Sequence, residues 1–296
     1  MPLRFATLDV FTDKRFAGNP LAVVLDAEAL DAVTMQAIAR EFNHPETVFV
    51  LPPLDPAHRA RVRIFTPARE LPFAGHPTVG TAVLLSQIDG GAVERVIVLE
   101  EEIGAVRCMV EPIDGGRGRA RFGLPQLPVP AGTAPNNATI AAALGLSAGD
   151  IGCARMRPSI WSAGLPLTFV PVASLACVRA CRPDPSRLIT TFGDGPVYVL
   201  CAETAEAGHD FHARMFAPAL GVPEDPATGS AVAAFAGLLA AHGGLRDGDH
   251  AFTIEQGYEM GRPSLIHLAL VLRGGKLVSA SVGGDAVIMT RGEISL

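Results

Sequence analysis

The chain has 296 residues, of which 49% are hydrophobic and only 18% charged, with a net charge of −6 at neutral pH. That length accommodates one large domain or two ordinary ones around a substantial core, and the composition excludes a disordered chain or a coiled coil. No Lys/Arg cluster marks a nucleic-acid surface, and the longest apolar run, Ala231 to Ala241, falls well short of the roughly 20 residues that span a bilayer.

In chain order the pattern is mostly strand. Arg4 to Phe11 alternates imperfectly, its charges interrupt any secretory apolar region, and Leu21 to Leu25 reads as a continuous apolar strand. Leu30 to Phe42 has helical periodicity, with Leu30, Val33, Ala37, Ile38 and Phe42 on one side. Strands are then expected over residues 47–51, 61–65, 92–99 and 105–110. The second half adds residues 167–172, 197–201, 214–216, 264–272, 276–282 and 286–290. Two segments differ: Thr78 to Gln87 and Thr228 to Ala241 are built of Ala, Val, Leu and Gly with no polar face. A helix that is apolar all round belongs in an interior.

The chain also repeats itself. AGNPLAVV (residues 17–24) matches AGLPLTFV (163–170), and RIFTP (63–67) matches RMFAP (214–218), in the same order and each near half the chain length. A further proline follows in both copies, Pro72 and Pro223, and then GHPTVGTA and PATGSAVA open the two apolar helices. These matches predict two homologous halves, residues 1–125 and 126–296, joined through the Pro/Gly-rich stretch from Leu124 to Pro135, with the last strand free to pack back on the first half. The expected class is α+β, each half a barrel-like sheet wrapped around one central apolar helix, with no βαβ alternation.

The five cysteines are odd in number and scattered, and nothing near Cys177 and Cys181 completes a zinc site. Reduced thiols in a cytoplasmic protein, without a structural metal, are the expectation. GHPTVGT lacks the lysine of a phosphate-binding loop, so a nucleotide site is not expected. The helix starts at Gly75-His76-Pro77-Thr78 and Asp225-Pro226-Ala227-Thr228-Gly229-Ser230 are of more interest. First-turn N–H groups lack internal partners and carry partial positive charge. Two such starts facing one another across a pseudo-twofold cleft would cradle a carboxylate. The alternative is that these glycines and prolines only terminate loops.

At these residues the sequence resembles the phenazine-biosynthesis isomerase (PhzF-like) family, which shares its duplicated fold with diaminopimelate epimerase. DVFTDKRFAGNPLAVV, FNHPETVFV, RIFTPARELPFAGHPTVGTA, AGLPLTFVPV, MFAPALGVPEDPATGSA and EQGYEMGRPS carry the resemblance along almost the whole chain. It implies an active site in the cleft between the halves, a catalytic carboxylate at Glu46, and supporting polar residues at His76, Asp225 and Ser230. It further implies backbone amides around Gly75-His76 and Gly229-Ser230 that hold a substrate carboxylate, no cofactor, and a homodimer. Related epimerases and racemases use paired cysteines at the helix starts, and no cysteine of this chain lies in either motif.

Such residues suit cofactor-independent proton transfer. Glu46 would remove a proton from a carbon beside an unsaturated system and return it elsewhere on the same face, and burial among Val48, Phe49 and their neighbours would raise its pKa toward the working pH. Each residue also has a blander reading: Glu46 as a solvated strand-end carboxylate, His76 as a donor to a turn carbonyl, Asp225 and Ser230 as helix caps, His44 as a helix-end residue. Asn19 and Arg63 read as structural, and Gly257, Gly261, Arg262 and Pro263 as candidates to line the cleft, Arg262 as an anion contact. Three functions remain open. One is an isomerase of a small carboxylated, cyclic or unsaturated metabolite. Another is a racemase or epimerase pairing Glu46 with a second base. The third is a non-catalytic metabolite-binding protein. The second half has no equivalent of HPET beside AGLPL, which favours a single base.

Overall fold

The computed structural model describes residues 2–296. Two compact units divide the chain: the residues up to Gly123 together with Gly283–Leu296, and Leu124–Val282. The first unit contains β1 (Leu3–Val10), β2 (Asn19–Val24), α1 (Ala32–Phe42), β3 (Glu46–Leu51), β4 (Ala60–Phe65), β5 (Glu70–Leu71), α2 (Gly75–Ile88), β6 (Arg95–Glu101), β7 (Gly104–Ile113) and β8 (Arg117–Gly123). The second contains β9 (Val129–Pro130), α3 (Asn137–Leu144), β10 (Ser159–Ser162), β11 (Pro166–Pro171), α4 (Leu175–Ala180), α5 (Pro185–Phe192), β12 (Val197–Cys201), β13 (Phe211–Ala217), β14 (Val222–Asp225), α6 (Gly229–His242), β15 (Gly248–Gln256) and β16 (Ser264–Arg273). The last strand, β17 (Lys276–Ile294), starts in the second unit and ends in the first.

In the first unit the pairings run β1–β2, β2–β3, β3–β4, β4–β6, β6–β7 and β7–β8, and β17 joins both β8 and β1. The sheet therefore closes on itself, which removes exposed strand edges. Its two parallel contacts are β2–β3 and β4–β6, and β5 extends β4 as a short flap. In the second unit β10–β11, β12–β13 and β15–β16 are antiparallel and β11–β12 and β13–β15 parallel, with β14 on β13. The order of parallel and antiparallel contacts is the same in both units. The duplication read from AGNPL and RIFTP thus reaches the level of strand topology.

It also reaches side chains. Arg63 makes a two-pronged ion pair with Glu70 (2.6 Å for each bond) and lies over the Phe65 ring. Arg214 does the same with Glu224 (2.8 and 2.9 Å) over Phe216. One correction to the sequence comparison follows from the ladders. Ile64 pairs with Leu71, and Met215, its counterpart, pairs with Asp225. The second copy therefore carries three extra residues in the β13–β14 turn, where Pro218–Leu220 forms a 3-10 turn. Beyond it Pro72 corresponds to Pro226 rather than Pro223, Gly75 to Gly229, and His76 to Ser230.

The central helices α2 and α6 are buried along nearly their whole length, as their composition requires. Within α2, Gly80 is set by packing: a Cβ there would stand 2.6–2.7 Å from side-chain atoms of Leu21 and Val10. Helix α1 is amphipathic and covers Phe49 and Phe65 with Met35, Ile38 and Ala39. Its start is capped by Asp31, which accepts from the Thr34 amide (2.8 Å), and Asn43 ends it in the left-handed conformation. Helices α3, α4 and α5 and the strands β5, β8, β9, β10, β14 and β15 were not expected. Among the described residues no helix is long and apolar enough to cross a membrane.

Candidate active site

The stretch FNHPETVFV shows how the carboxylate is placed. Asn43 breaks α1, His44 stacks on Phe42, Pro45 fixes the turn, and Glu46 opens β3 against Leu21 of β2. Everything after Glu46 in that strand is buried. The Glu46 side chain is 17% exposed, and its Oε2 lies 3.3 Å from Nε2 of His76, which is 5% exposed. His76 stands in the first turn of α2.

The two ring nitrogens of His76 have separate tasks. The backbone of Pro20, on β2, is the neighbour that favours a proton on the ring. In the tautomer protonated on Nδ1, the neutral imidazole would turn the lone pair of Nε2 toward Glu46. Burial, opposed by the Pro20 bond and assisted by the nearby His44, lowers the His76 pKa to about 3. His76 is thus uncharged across the neutral range. The structure places Nε2 of His76 beside the Glu46 carboxylate.

Ladder register shows what the second unit has in place of Glu46. Thr47 pairs with Phe65 and Val197 with Phe216, so the counterpart of Glu46 is Pro196. Asp225, Gly229 and Ser230 cluster around the start of α6, Asp225 ending β14 and Ser230 sitting in the first turn. Asp225 accepts from the Thr228 hydroxyl. Gln256 then ties the segment together: its amide donates to the Asp225 carbonyl (2.8 Å) and to Thr228 Oγ1 (2.9 Å). Its Oε1 accepts from the Thr228 amide (3.2 Å) and from Tyr198 Oη (3.1 Å). Tyr198 and Gln256 are fully buried. Gly257 has φ +78°, and a Cβ on it would stand 2.4 Å from the Arg262 carbonyl and 2.6 Å from that of Pro226. Only glycine lets the turn pass this close to the head of α6.

A second cluster braces the same turn. His212 is fully buried and meets Glu255 through Nδ1 (2.7 Å) and Glu259 through Nε2 (2.9 Å). Glu255 also accepts from the amides of Ala205 and Glu206 and from His209. Burial alone would lower the pKa of His212, but its bonds to Glu259 and Glu255 and their charges outweigh burial and raise it. Both nitrogens face carboxylate acceptors, so the ring is an imidazolium.

The anticipated residues accordingly fall into two groups. Glu46, Gly75 and His76 come together in the first unit, with Asn19 buried beside Pro20; Asp225, Gly229 and Ser230 come together in the second. Arg63 is occupied by Glu70, and Gly257 and Gly261 shape a turn. Thr228, Gln256, Tyr198 and His212 were missed. Gln256 lies in EQGYEMGRPS, but nothing local shows that its amide would satisfy the start of a helix far back in the chain. All five cysteines are free thiols, four of them buried.

A closed sheet about a buried helix, followed by a second sheet about a buried helix with the same order of parallel and antiparallel contacts, defines the duplicated epimerase-like α+β class. The family model described as phenazine biosynthesis-like protein matches residues 8–292. Among curated relatives, an uncharacterized isomerase of Mesorhizobium japonicum is 49% identical over 97% of this chain and 96% of its own length. The trans-2,3-dihydro-3-hydroxyanthranilate isomerase of Pseudomonas chlororaphis is 37% identical over 99% of both. Of solved structures, a PhzF-family phenazine biosynthesis protein of Bacillus anthracis superposes with TM-score 0.89 at 25% identity, with complete coverage of both chains. The chain belongs to the phenazine biosynthesis-like protein family, and it is an isomerase of the PhzF type.

Proposed function

We propose that the protein moves a proton along a small carboxylated, cyclic unsaturated metabolite of the trans-2,3-dihydro-3-hydroxyanthranilate kind, with Glu46 as the acid/base. The observation that carries this reading is the 3.3 Å approach of Glu46 to a neutral His76. A carboxylate that has taken a proton needs an acceptor for its new O–H, and the lone pair on Nε2 supplies one without adding charge. Glu46 can then return the proton to another carbon on the same face. The amides at the head of α2, beside Glu46, offer hydrogen bonds to the substrate carboxylate. The relatives named for this substrate support its chemical class. On the same resemblance we place the enzyme in the cytoplasm as a homodimer, which light scattering tests.

The experiment is incubation of the purified chain with trans-2,3-dihydro-3-hydroxyanthranilate in D2O, followed by NMR. The reading expects a shifted double bond, with deuterium at the new C–H to the extent that Glu46 exchanges its proton with solvent. Inversion at one carbon with no double-bond shift would identify a racemase instead. Binding without any proton exchange would identify a carrier.

A further inference from the structure

Glu100 and Glu101 are adjacent residues at the end of β6 with opposite surroundings. Glu100 faces outward and accepts from the amides of Leu54 and Asp55 and from His58, and the Asp55 and Leu54 bonds pull its pKa down to about 2. Glu101 turns inward, is 7% exposed, and has one hydrogen-bond partner: its Oε1 lies 2.6 Å from Thr78 Oγ1. Its Oε2 is buried with none among the described residues. Thr78 Oγ1 in turn lies 2.8 Å from the carbonyl of Ala74, the residue that caps α2 immediately before Gly75 and His76.

We propose that Glu101 is a positioning residue for the head of α2: its carboxylic acid donates to Thr78 Oγ1, the Thr78 hydroxyl donates to the Ala74 carbonyl, and this neutral chain holds Gly75 and His76 in place beside Glu46. A count of hydrogens supports the direction. Thr78 has a single hydroxyl proton and cannot give it to both the Ala74 carbonyl and a carboxylate. Both short contacts are satisfied at once only when Glu101 brings its own proton. The surroundings agree: burial, opposed only by the Thr78 bond, raises the Glu101 pKa to about 8. On β7 the titratable group that senses Glu101 is Cys108, a fully buried thiol pushed up by burial and by the Glu101 charge. On α2 the groups are Thr78 itself and, two residues away, the uncharged His76. No basic group contributes to the shift of Glu101.

Ionisation reverses the chain. A buried carboxylate at Glu101 draws the Thr78 proton to itself, and the Ala74 carbonyl loses its hydroxyl donor. It keeps only the Thr78 amide, a longer bond of 3.2 Å. The turn that places His76 then loosens. This role rests on the reading of Glu46 and His76 as the reacting pair, and the test keeps the two apart. Imidazole-15N and carboxyl-13C NMR of the full chain is followed from about pH 6 to about pH 10, on either side of about 8. Glu101 should titrate in that range, and the His76 nitrogens should shift with the same midpoint although the imidazole itself titrates far lower. Glu101→Gln, whose amide still donates to Thr78, should abolish the movement at His76. Thr78→Val should leave Glu101 titrating but uncouple His76. In parallel, kcat/KM on trans-2,3-dihydro-3-hydroxyanthranilate should fall about fivefold from pH 8 to pH 9, and the Gln variant should lack that fall. A His76 signal that stays still through the Glu101 titration, or that moves equally in Glu101→Gln, overturns the proposal. Absence of turnover with a coupled His76 signal overturns the proposed substrate and leaves this inference standing.

Discussion

The heads of α2 and α6 descend from one repeat and occupy matched places in matched units, yet they are furnished in opposite ways. At α2 a single carboxylate stands 3.3 Å from Nε2 of a histidine that burial keeps uncharged. At α6 the polar groups are tied to one another: Asp225 to Thr228, Thr228 to Gln256, Gln256 to Tyr198. The first arrangement keeps a proton acceptor ready to change state. The second spends its hydrogen-bonding capacity on holding a backbone shape. Pro196 at the place of Glu46, and Ser230 at the place of His76, show that the second copy does not carry the pair. Duplication here produced two helix starts and one carboxylate–histidine pair.

That contrast can be broken at several points. The largest stability effect should come from His212→Leu, which takes the shared cation away from the buried Glu255 and the half-buried Glu259. Loss of one member of a buried ion cluster costs about 3–5 kcal/mol, read as a lower urea midpoint. The sign with pH is also fixed: the His212 pKa is raised in the folded chain, so its stabilisation is complete below the ordinary histidine value and is lost as pH rises through the raised one. Gln256→Leu should cost about 3 kcal/mol, because it leaves the Thr228 amide, the Asp225 carbonyl and the Tyr198 hydroxyl without their partner. Its effect should appear in stability before chemistry.

At the other helix head the order reverses. His76→Phe fills the space but removes the acceptor for protonated Glu46, and kcat should fall about 100-fold with little change in Tm at neutral pH. Below neutrality this variant should be the more robust. The folded-state pKa of His76 is depressed to about 3, so the wild type loses stability as pH falls from the ordinary histidine range toward that value, and the Phe variant does not. Ser230→Ala, in the first turn of α6, should have the smallest effect, a loss of stability of about 0.5 kcal/mol.

Much of this was legible in the sequence. The two all-apolar helices, the repeat and the position of Glu46 follow from patterning and from AGNPL, HPET and GHPT. Strands such as β8, RGRARFG, were hidden because alternate arginines point outward along a short ladder, and three charges in seven residues read as a surface loop. Helix α3 lies before β10 and has no partner in the repeat, whereas α5 lies between β11 and β12 as α1 lies between β2 and β3. Glu101 was invisible for a different reason. In the run Glu100-Glu101-Glu102 no residue is distinguished by type, and only the pleat of β6 turns the middle carboxyl inward. Gln256 needed the β13–β15 pairing before its amide could be connected to a helix start twenty-eight residues earlier.

The central claim is that one carboxylate on β3 carries the proton. It is tested most directly by Glu46→Gln assayed in D2O with trans-2,3-dihydro-3-hydroxyanthranilate, with Tm measured on the same sample. The account predicts an intact fold, turnover lowered by about a thousandfold or more, and no deuterium in the product. Isomerisation and deuterium incorporation at the wild-type rate in that variant would contradict it.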